Sequence, residues 1–172
     1  NADRGIPIVG CSLCAVDTEG PMVAVVRDLT RRGTYRATRG AGATRDGSAI
    51  SVRATATLDD AIIGINGWSA RRPPGAQFRT FGCASVELCL VADGTLDGYA
   101  NLDVDGHGPW DYLGGLLVAS EAGGRIAELM GRDLGDIGHE VRRAVAVGAN
   151  IEMCRALVDS VGGSPAIRPG RL

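Results

Sequence analysis

The chain has 172 residues, of which 45% are hydrophobic and 22% charged, and its formal net charge is −2. That balance fits a globular chain long enough to bury a real core, as one domain or two small lobes. No apolar run reaches the ~18 residues of a membrane span, no signal peptide opens the chain, and the near-neutral charge offers no footprint for nucleic acid, so neither a membrane nor a nucleic acid is expected as a partner.

Residues 1–8 are a polar entry into a first predicted strand, Ile8–Val16, short, apolar and rich in small residues. A turn at Asp17–Gly20 leads to a second strand at Pro21–Leu29 and a third at Thr34–Thr38. Asp46-Gly47, set between GATR and SAISV, is a strong hairpin signal, so this part reads as an antiparallel meander. The character then changes. Ala61–Asn66 (AIIGIN) is a continuous aliphatic run, as in a strand covered on both faces. The polar Pro/Gly loop Ser69–Gln77 follows, and Phe78–Asp93 carries helical spacing at Phe81, Val86, Leu88, Cys89 and Val91. Leu96–Leu102 reads as a strand, Asp111–Ala122 as a helix, Arg125–Leu129 and Arg142–Val147 as strands, and Ile151–Val161 as a terminal helix. Met153, Leu157 and Val161 form its core stripe, and the closing residues, GSPAIRPGR and a final Leu, are expected to fray. Strand–helix alternation from about residue 60 predicts a parallel or mixed sheet. The expected organisation is therefore a remnant of an antiparallel-sheet lobe over 1–58 and an α/β lobe over 59–172.

Chemistry is narrowed by residue type. All 18 basic residues are Arg, which excludes a Schiff-base lysine and a P-loop lysine from this chain. His107 and His139 belong to no HExxH pattern. Cys11 and Cys14 have zinc-knuckle spacing without a second pair, and in a strand they face opposite sides; buried free thiols in a reducing cytoplasm are the favoured reading of the five cysteines. Trp68 and Trp110 read as packing residues. The richest stretch is Pro109–Gly124, PWDYLGGLLVASEAGG. Asp111 suits an N-cap, and Gly114-Gly115 inside a helix, at a cost of roughly 1 kcal/mol each, imply the close approach of a strand or a ligand. A carboxylate at a positive helix end can also hold a cation that in turn holds an anion. Taken alone, a plain capped core helix explains the same residues.

WD followed by a small-residue turn, an aliphatic run and EAGG resembles the C-terminal signature of the inositol monophosphatase family, the Mg²⁺-dependent, Li⁺-sensitive sugar and inositol phosphatases. The likeness extends along nearly the whole chain. Asn1–Pro7 (NADRGIP) is similar to the segment directly after the family's DPxDGT motif, Arg39–Gly47 (RGAGATRDG) to its GxGA…NG hairpin, and Arg79–Asp97 (RTFGCASVELCLVADGTLD) to its long helix and exit. The resemblance implies a layered αβαβα fold of the inositol monophosphatase/fructose bisphosphatase type, here partial, and two or three Mg²⁺ ions that hydrolyse a phosphate monoester. Residue by residue, it makes Asp111 a metal ligand. It makes Gly82, Cys83 and Ala84 the turn whose backbone meets substrate hydroxyls, with Cys83 in place of a hydroxyl residue. Asn101 falls where inositol-preferring members carry a ring-reading Glu. Arg79 either steers an anionic group or is a solvated or ion-paired surface residue.

The family's remaining ligands, an upstream Glu and the two Asp of DPxDGT, have no counterpart in these residues. The expectation is a fragment, or a chain completed by another polypeptide, that is inactive alone and exposes a large apolar face on its first sheet. Substrate would be a small sugar or inositol phosphate, and a homodimer is expected because family members commonly pair. A fructose bisphosphatase, a nucleotide bisphosphate phosphatase and a non-catalytic binding module on the same scaffold are the alternatives.

Overall fold

The structure is a computed structural model that describes residues 1–68, 73–162 and, as backbone, 168–169. After a short 3₁₀ turn at Ala2–Arg4, five strands form an antiparallel meander in sequence order: β1 (Gly10–Asp17), β2 (Gly20–Asp28), β3 (Thr34–Thr38), β4 (Ala43–Arg45) and β5 (Ser48–Ala49). The β4–β5 turn takes positive φ at both Asp46 (51°) and Gly47 (85°), the twist-matched hairpin turn that Asp-Gly favours. The Asp46 carboxylate then accepts from Thr34 N–H at 2.9 Å, pinning the turn to β3.

The second sheet is mixed, in the order β11-β9-β10-β8-β6-β7. Its strands are β6 (Ile62–Asn66), β7 (Gln77–Arg79), β8 (Gly98–Asn101), β9 (Arg125–Glu128), β10 (Val145–Gly148) and β11 (Arg168–Pro169). β6 runs parallel to β7 and β8, whereas the β8–β10, β10–β9 and β9–β11 pairs are antiparallel. The β9–β11 pairing corrects the expected fraying at Arg168–Pro169. The rest of 163–172, and residues 69–72 of the expected polar loop, lie outside the described residues. The first sheet ends at Ala49 and the second begins at Ile62, on either side of the 58/59 division.

Three helices complete the fold: α1 (Ala84–Ala92), α2 (Pro109–Glu121) and α3 (Ile151–Ser160). α1 and α2 pack on each other and touch both sheets, so they form a layer between them, while α3 packs on β8, β9 and β10. Every residue of α1 is buried. Gly114 and Gly115 explain how the layer closes. A Cβ on Gly114 would sit 2.5 Å from Ser12 Oγ of β1, and one on Gly115 would sit 2.8 Å from Leu88 Cβ of α1. The close approach expected from the double glycine is therefore a strand on one side and a helix on the other.

The other face of the first sheet is open. Cys11, Leu13 and Ala15 are exposed there, with half-buried Val25 and Val23 paired to Leu13 and Ala15. Of the five free cysteines only Cys89 and Cys154 are buried, since Cys11 lies on this open face and Cys14 and Cys83 are half-covered. Met153 and Leu157 are core residues as expected, with Val161 partly buried against them. Trp68 is 88% exposed and Trp110 50%, so neither is a core packing residue.

Several element boundaries differ from the sequence reading, and two of them bear on the site. The helical spacing from Phe78 begins in β7, because Gly82 at φ 69° turns the chain and α1 starts only at Ala84. Asp111 is not the N-cap of α2. Gly108 is, with Pro109 at the first helical position, where its fixed φ is pre-organised for the helix. Asp111 is the third helical residue, and its carboxylate accepts from Gly108 N–H at 3.2 Å while Asp111 N–H donates to Gly108 C=O at 2.9 Å.

Candidate active site

The N-termini of α1 and α2 open onto one cavity of about 450 Å³. Gly10 and Ser12 of β1 form its floor, Gly82–Ser85 one wall, and His107, Trp110 and Asp111 the other, with Asn66 at the carboxyl end of β6 between them. Two helix N-termini bring partial positive charge and unpaired N–H groups to the same space, an arrangement that favours an anionic ligand. Asp111 is the carboxylate lining that cavity. One oxygen is engaged by Gly108 N–H.

The walls are joined beneath the cavity by a buried chain of hydrogen bonds. Asn66 Nδ2 donates to Glu87 Oε2 and to Tyr99 Oη, both at 2.9 Å, and Tyr99 Oη lies 2.8 Å from His107 Nε2. Glu87 also accepts from Cys83 N–H at 3.1 Å and from Phe81 N–H at 3.4 Å. Since the Tyr99 hydroxyl accepts from Asn66, its proton is free to point at His107 Nε2, which suits a neutral imidazole. Burial also pushes His107 below the usual histidine range, against the opposing charge of Asp111. Tyr99 is held well above the usual phenol range, first by burial and then by the Glu87 charge.

Glu87 is wholly buried, and burial raises its carboxyl above the ordinary 4.5 against the N–H donors that hold it. A raised folded-state value means that its stabilising contribution is fully present below about pH 4.5 and is lost as pH rises through the folded value. Glu87→Gln removes that dependence. Urea midpoints of both proteins at pH 7 and pH 5 should therefore show the wild type gaining on the variant as pH falls; a shift the other way means that the N–H donors outweigh burial.

Of the residues singled out from sequence, Asp111, Gly82, Cys83 and Ala84 line this cavity together. Arg79 does not line it: on β7 its guanidinium donates to Phe78 C=O at 2.9 Å and to Gln77 Oε1 at 2.7 Å. Asn101 does not either. It is 1% exposed, its Oδ1 accepts from Asp103 N–H at 3.0 Å, and a Cβ on Gly106 would overlap its Nδ2, so it supports the 103–106 turn from below. Its Nδ2 has no acceptor among the described residues.

Sequence reasoning passed over Ser12, Asn66, Ser85, His107 and Trp110. A polar Asn closing an otherwise aliphatic strand was the readable signal for Asn66, because open α/β sheets bind ligands outside the carboxyl ends of their strands. Half-exposed Trp110 holds the neighbouring loop: the His139 ring packs on it in a tilted pose at 5.3 Å and the Arg142 guanidinium lies over it at 5.0 Å, which docks the 139–142 loop beside the cavity. A Cβ at Gly108 would overlap the indole, so this pose requires a glycine cap.

The sequence profile of the inositol monophosphatase family matches residues 4–160. The fructose-1,6-bisphosphatase/inositol-1-monophosphatase of Archaeoglobus fulgidus is 34% identical over 79% of this chain and 54% of its own length. A Nus factor SuhB from Xylella fastidiosa is 29% identical over 90% of this chain and 60% of its own length. The chain thus spans little more than half of either relative. Among solved structures, a Pyrococcus horikoshii protein described by its similarities to inositol-1 monophosphatase superposes with a TM-score of 0.80 at 22% identity, over 91% of this chain and 64% of its own. The inositol monophosphatase from Anabaena (Nostoc) gives 0.76 at 23% identity, over 93% and 68%. These likenesses show the same fold. With a matching profile over nearly its whole length, and with Asp111 and the Gly82–Ala84 turn lining one cavity, this chain belongs to the inositol monophosphatase family.

Proposed function

We propose that this chain supplies the C-terminal part of a Mg²⁺-dependent phosphomonoesterase whose substrate is a small sugar or inositol phosphate. The observation that carries this reading is that Asp111 and the first residues of α1 line one cavity, where two helix N-termini meet. Mg²⁺ takes carboxylate oxygens, so Asp111 fits as one ligand. Among the described residues no group of three His, Cys, Asp or Glu side chains could hold a metal ion, so this reading needs further carboxylates beside Asp111. When bound, paired Mg²⁺ ions polarise the ester and lower the pKa of the attacking water.

The chain's own residues bind and orient. The first-turn N–H groups of α1, at Ala84 and Ser85, have no intrahelical acceptor and suit ester or hydroxyl oxygens. Ser12, Cys83 and Ser85 line the same cavity. Asp111 holds its orientation through the Gly108 N–H, and Trp110 lines the cavity beside it.

A non-catalytic interaction module is the second reading. It is favoured by the single carboxylate in the cavity and by relatives whose names are Nus factors. The full-length product of the gene decides between them when assayed for phosphate release from inositol monophosphates, fructose 1,6-bisphosphate and nucleotide bisphosphates. Mg²⁺-dependent release from at least one ester, abolished by EDTA and inhibited by Li⁺, is the expected result. No release from any of them at millimolar Mg²⁺ would leave the module.

A further inference from the structure

The Phe81–Cys83 turn that begins the α1 wall is gripped from two sides by residues that do not line the cavity. On one side is Asn1. Its side-chain amide donates to Phe81 C=O at 2.8 Å, to Gly82 C=O at 3.3 Å and to Ile8 C=O at 2.8 Å. Asn1 is itself anchored, because its backbone carbonyl accepts from Arg4 and Ile6 N–H, each at 3.1 Å. On the other side is Glu87, whose buried carboxylate takes Phe81 N–H and Cys83 N–H.

The carbonyls of residues 81 and 82 and the amides of 81 and 83 are therefore all satisfied inside the protein. The α1 amides left for a ligand are those of Ala84 and Ser85, and their direction is set by the turn before them. Gly82 sits at φ 69°, a conformation with no side chain to lock it, so the clamp does the locking. The Ile8 bond extends the grip to the entry of β1, whose Gly10 and Ser12 form the cavity floor.

We propose that Asn1 and Glu87 are positioning residues of this site: together they clamp the Phe81–Cys83 turn and so aim the Ala84 and Ser85 amides at the oxygen atoms of the ligand. That the ligand is a phosphate ester rests on the phosphatase reading; the clamp rests on the hydrogen bonds alone.

Asn1→Asp in the full-length product tests it, because a carboxylate there faces three carbonyl oxygens that it cannot donate to. If the clamp positions ligand, KM for the ester rises about tenfold or more, kcat stays within about threefold, and half-saturation by Mg²⁺ is unchanged because Asp111 is on α2. Amide exchange at Phe81 and Cys83 should also accelerate about tenfold or more as the turn is released. Glu121→Gln is the control. Glu121 holds Gly40 and Gly42 N–H at 2.8 Å each, a carboxylate clamp like that of Glu87 but away from the cavity, and its loss should lower Tm without moving KM. Unchanged KM with unchanged exchange overturns the proposal. So does a joint fall of kcat, Tm and affinity, which marks Asn1 as a folding residue only. If the wild type releases no phosphate, the phosphatase reading fails, and the exchange measurement still judges the clamp.

Discussion

Under the proposed function, Asp111→Asn in the full-length protein is expected to abolish Mg²⁺-dependent phosphate release while leaving the fold in place. The two effects separate because the proposal gives Asp111 a second job beside its observed bond to Gly108. As the third residue of α2 it accepts from Gly108 N–H, and an asparagine oxygen can accept the same bond. The variant forfeits only the charge–dipole attraction at the helix start, about 0.3–1 kcal/mol. As the proposed metal ligand it has no substitute among the described residues that line the cavity, where it is the one carboxylate. Loss of an outer-shell partner costs roughly 10–100-fold, so loss of a direct ligand should cost at least about 100-fold in kcat/KM. Expressed as transition-state stabilisation, that is about 2.7 kcal/mol or more. The checks are phosphate release under saturating Mg²⁺ and a thermal melt. A variant that keeps half its activity sets Asp111 aside as a capping residue.

Gly115→Ala should destabilise the protein by about 2 kcal/mol, although alanine is the better helix former by roughly 1 kcal/mol. The added methyl would meet Leu88 Cβ at 2.8 Å, Leu88 Cδ1 at 2.9 Å and Ser85 C=O at 3.0 Å. α1 is buried on every side between the sheets and cannot retreat without disturbing both. For a chain of this length the expected fall in Tm is roughly 4–8 °C. Activity should fall too, since the helices forced apart are the two whose N-termini frame the cavity. An unchanged or raised Tm would mean that α1 and α2 are not in contact at this point.

Much of this was legible in the chain. Asp46-Gly47 marked a hairpin because few residue pairs accept two successive positive φ values, and AIIGIN marked β6 because strands covered on both faces read as unbroken aliphatic runs. The double glycine announced a close approach, although not what approaches. Where the reading failed, local pattern was overridden by contacts far away in sequence. Helical spacing assigned Phe78 to a helix, yet pairing with β6 draws Gln77–Arg79 into the sheet.

Nothing in that periodicity marked Glu87. α1 has no polar face, and a helix buried all round hides a carboxylate from any amphipathic template. Asn101 shows the limit of matching by order: the last residue of a strand can face a cavity or the loop that follows, and here the Gly106 turn closes over it. The cavity draws on residues as distant as Gly10 and Asp111, a convergence that only the helix layer between the sheets creates.

The central claim is that Asp111 gives this cavity its metal chemistry. Calorimetric titration of Mg²⁺ into the full-length protein, wild type against Asp111→Asn, measures that without relying on turnover or on the choice of ester. Saturable binding by the wild type and an affinity weakened at least about tenfold, about 1.4 kcal/mol, in the variant are expected. Equal affinities in the two proteins would contradict it, and the carboxylate at the start of α2 would then be a helix cap and nothing more.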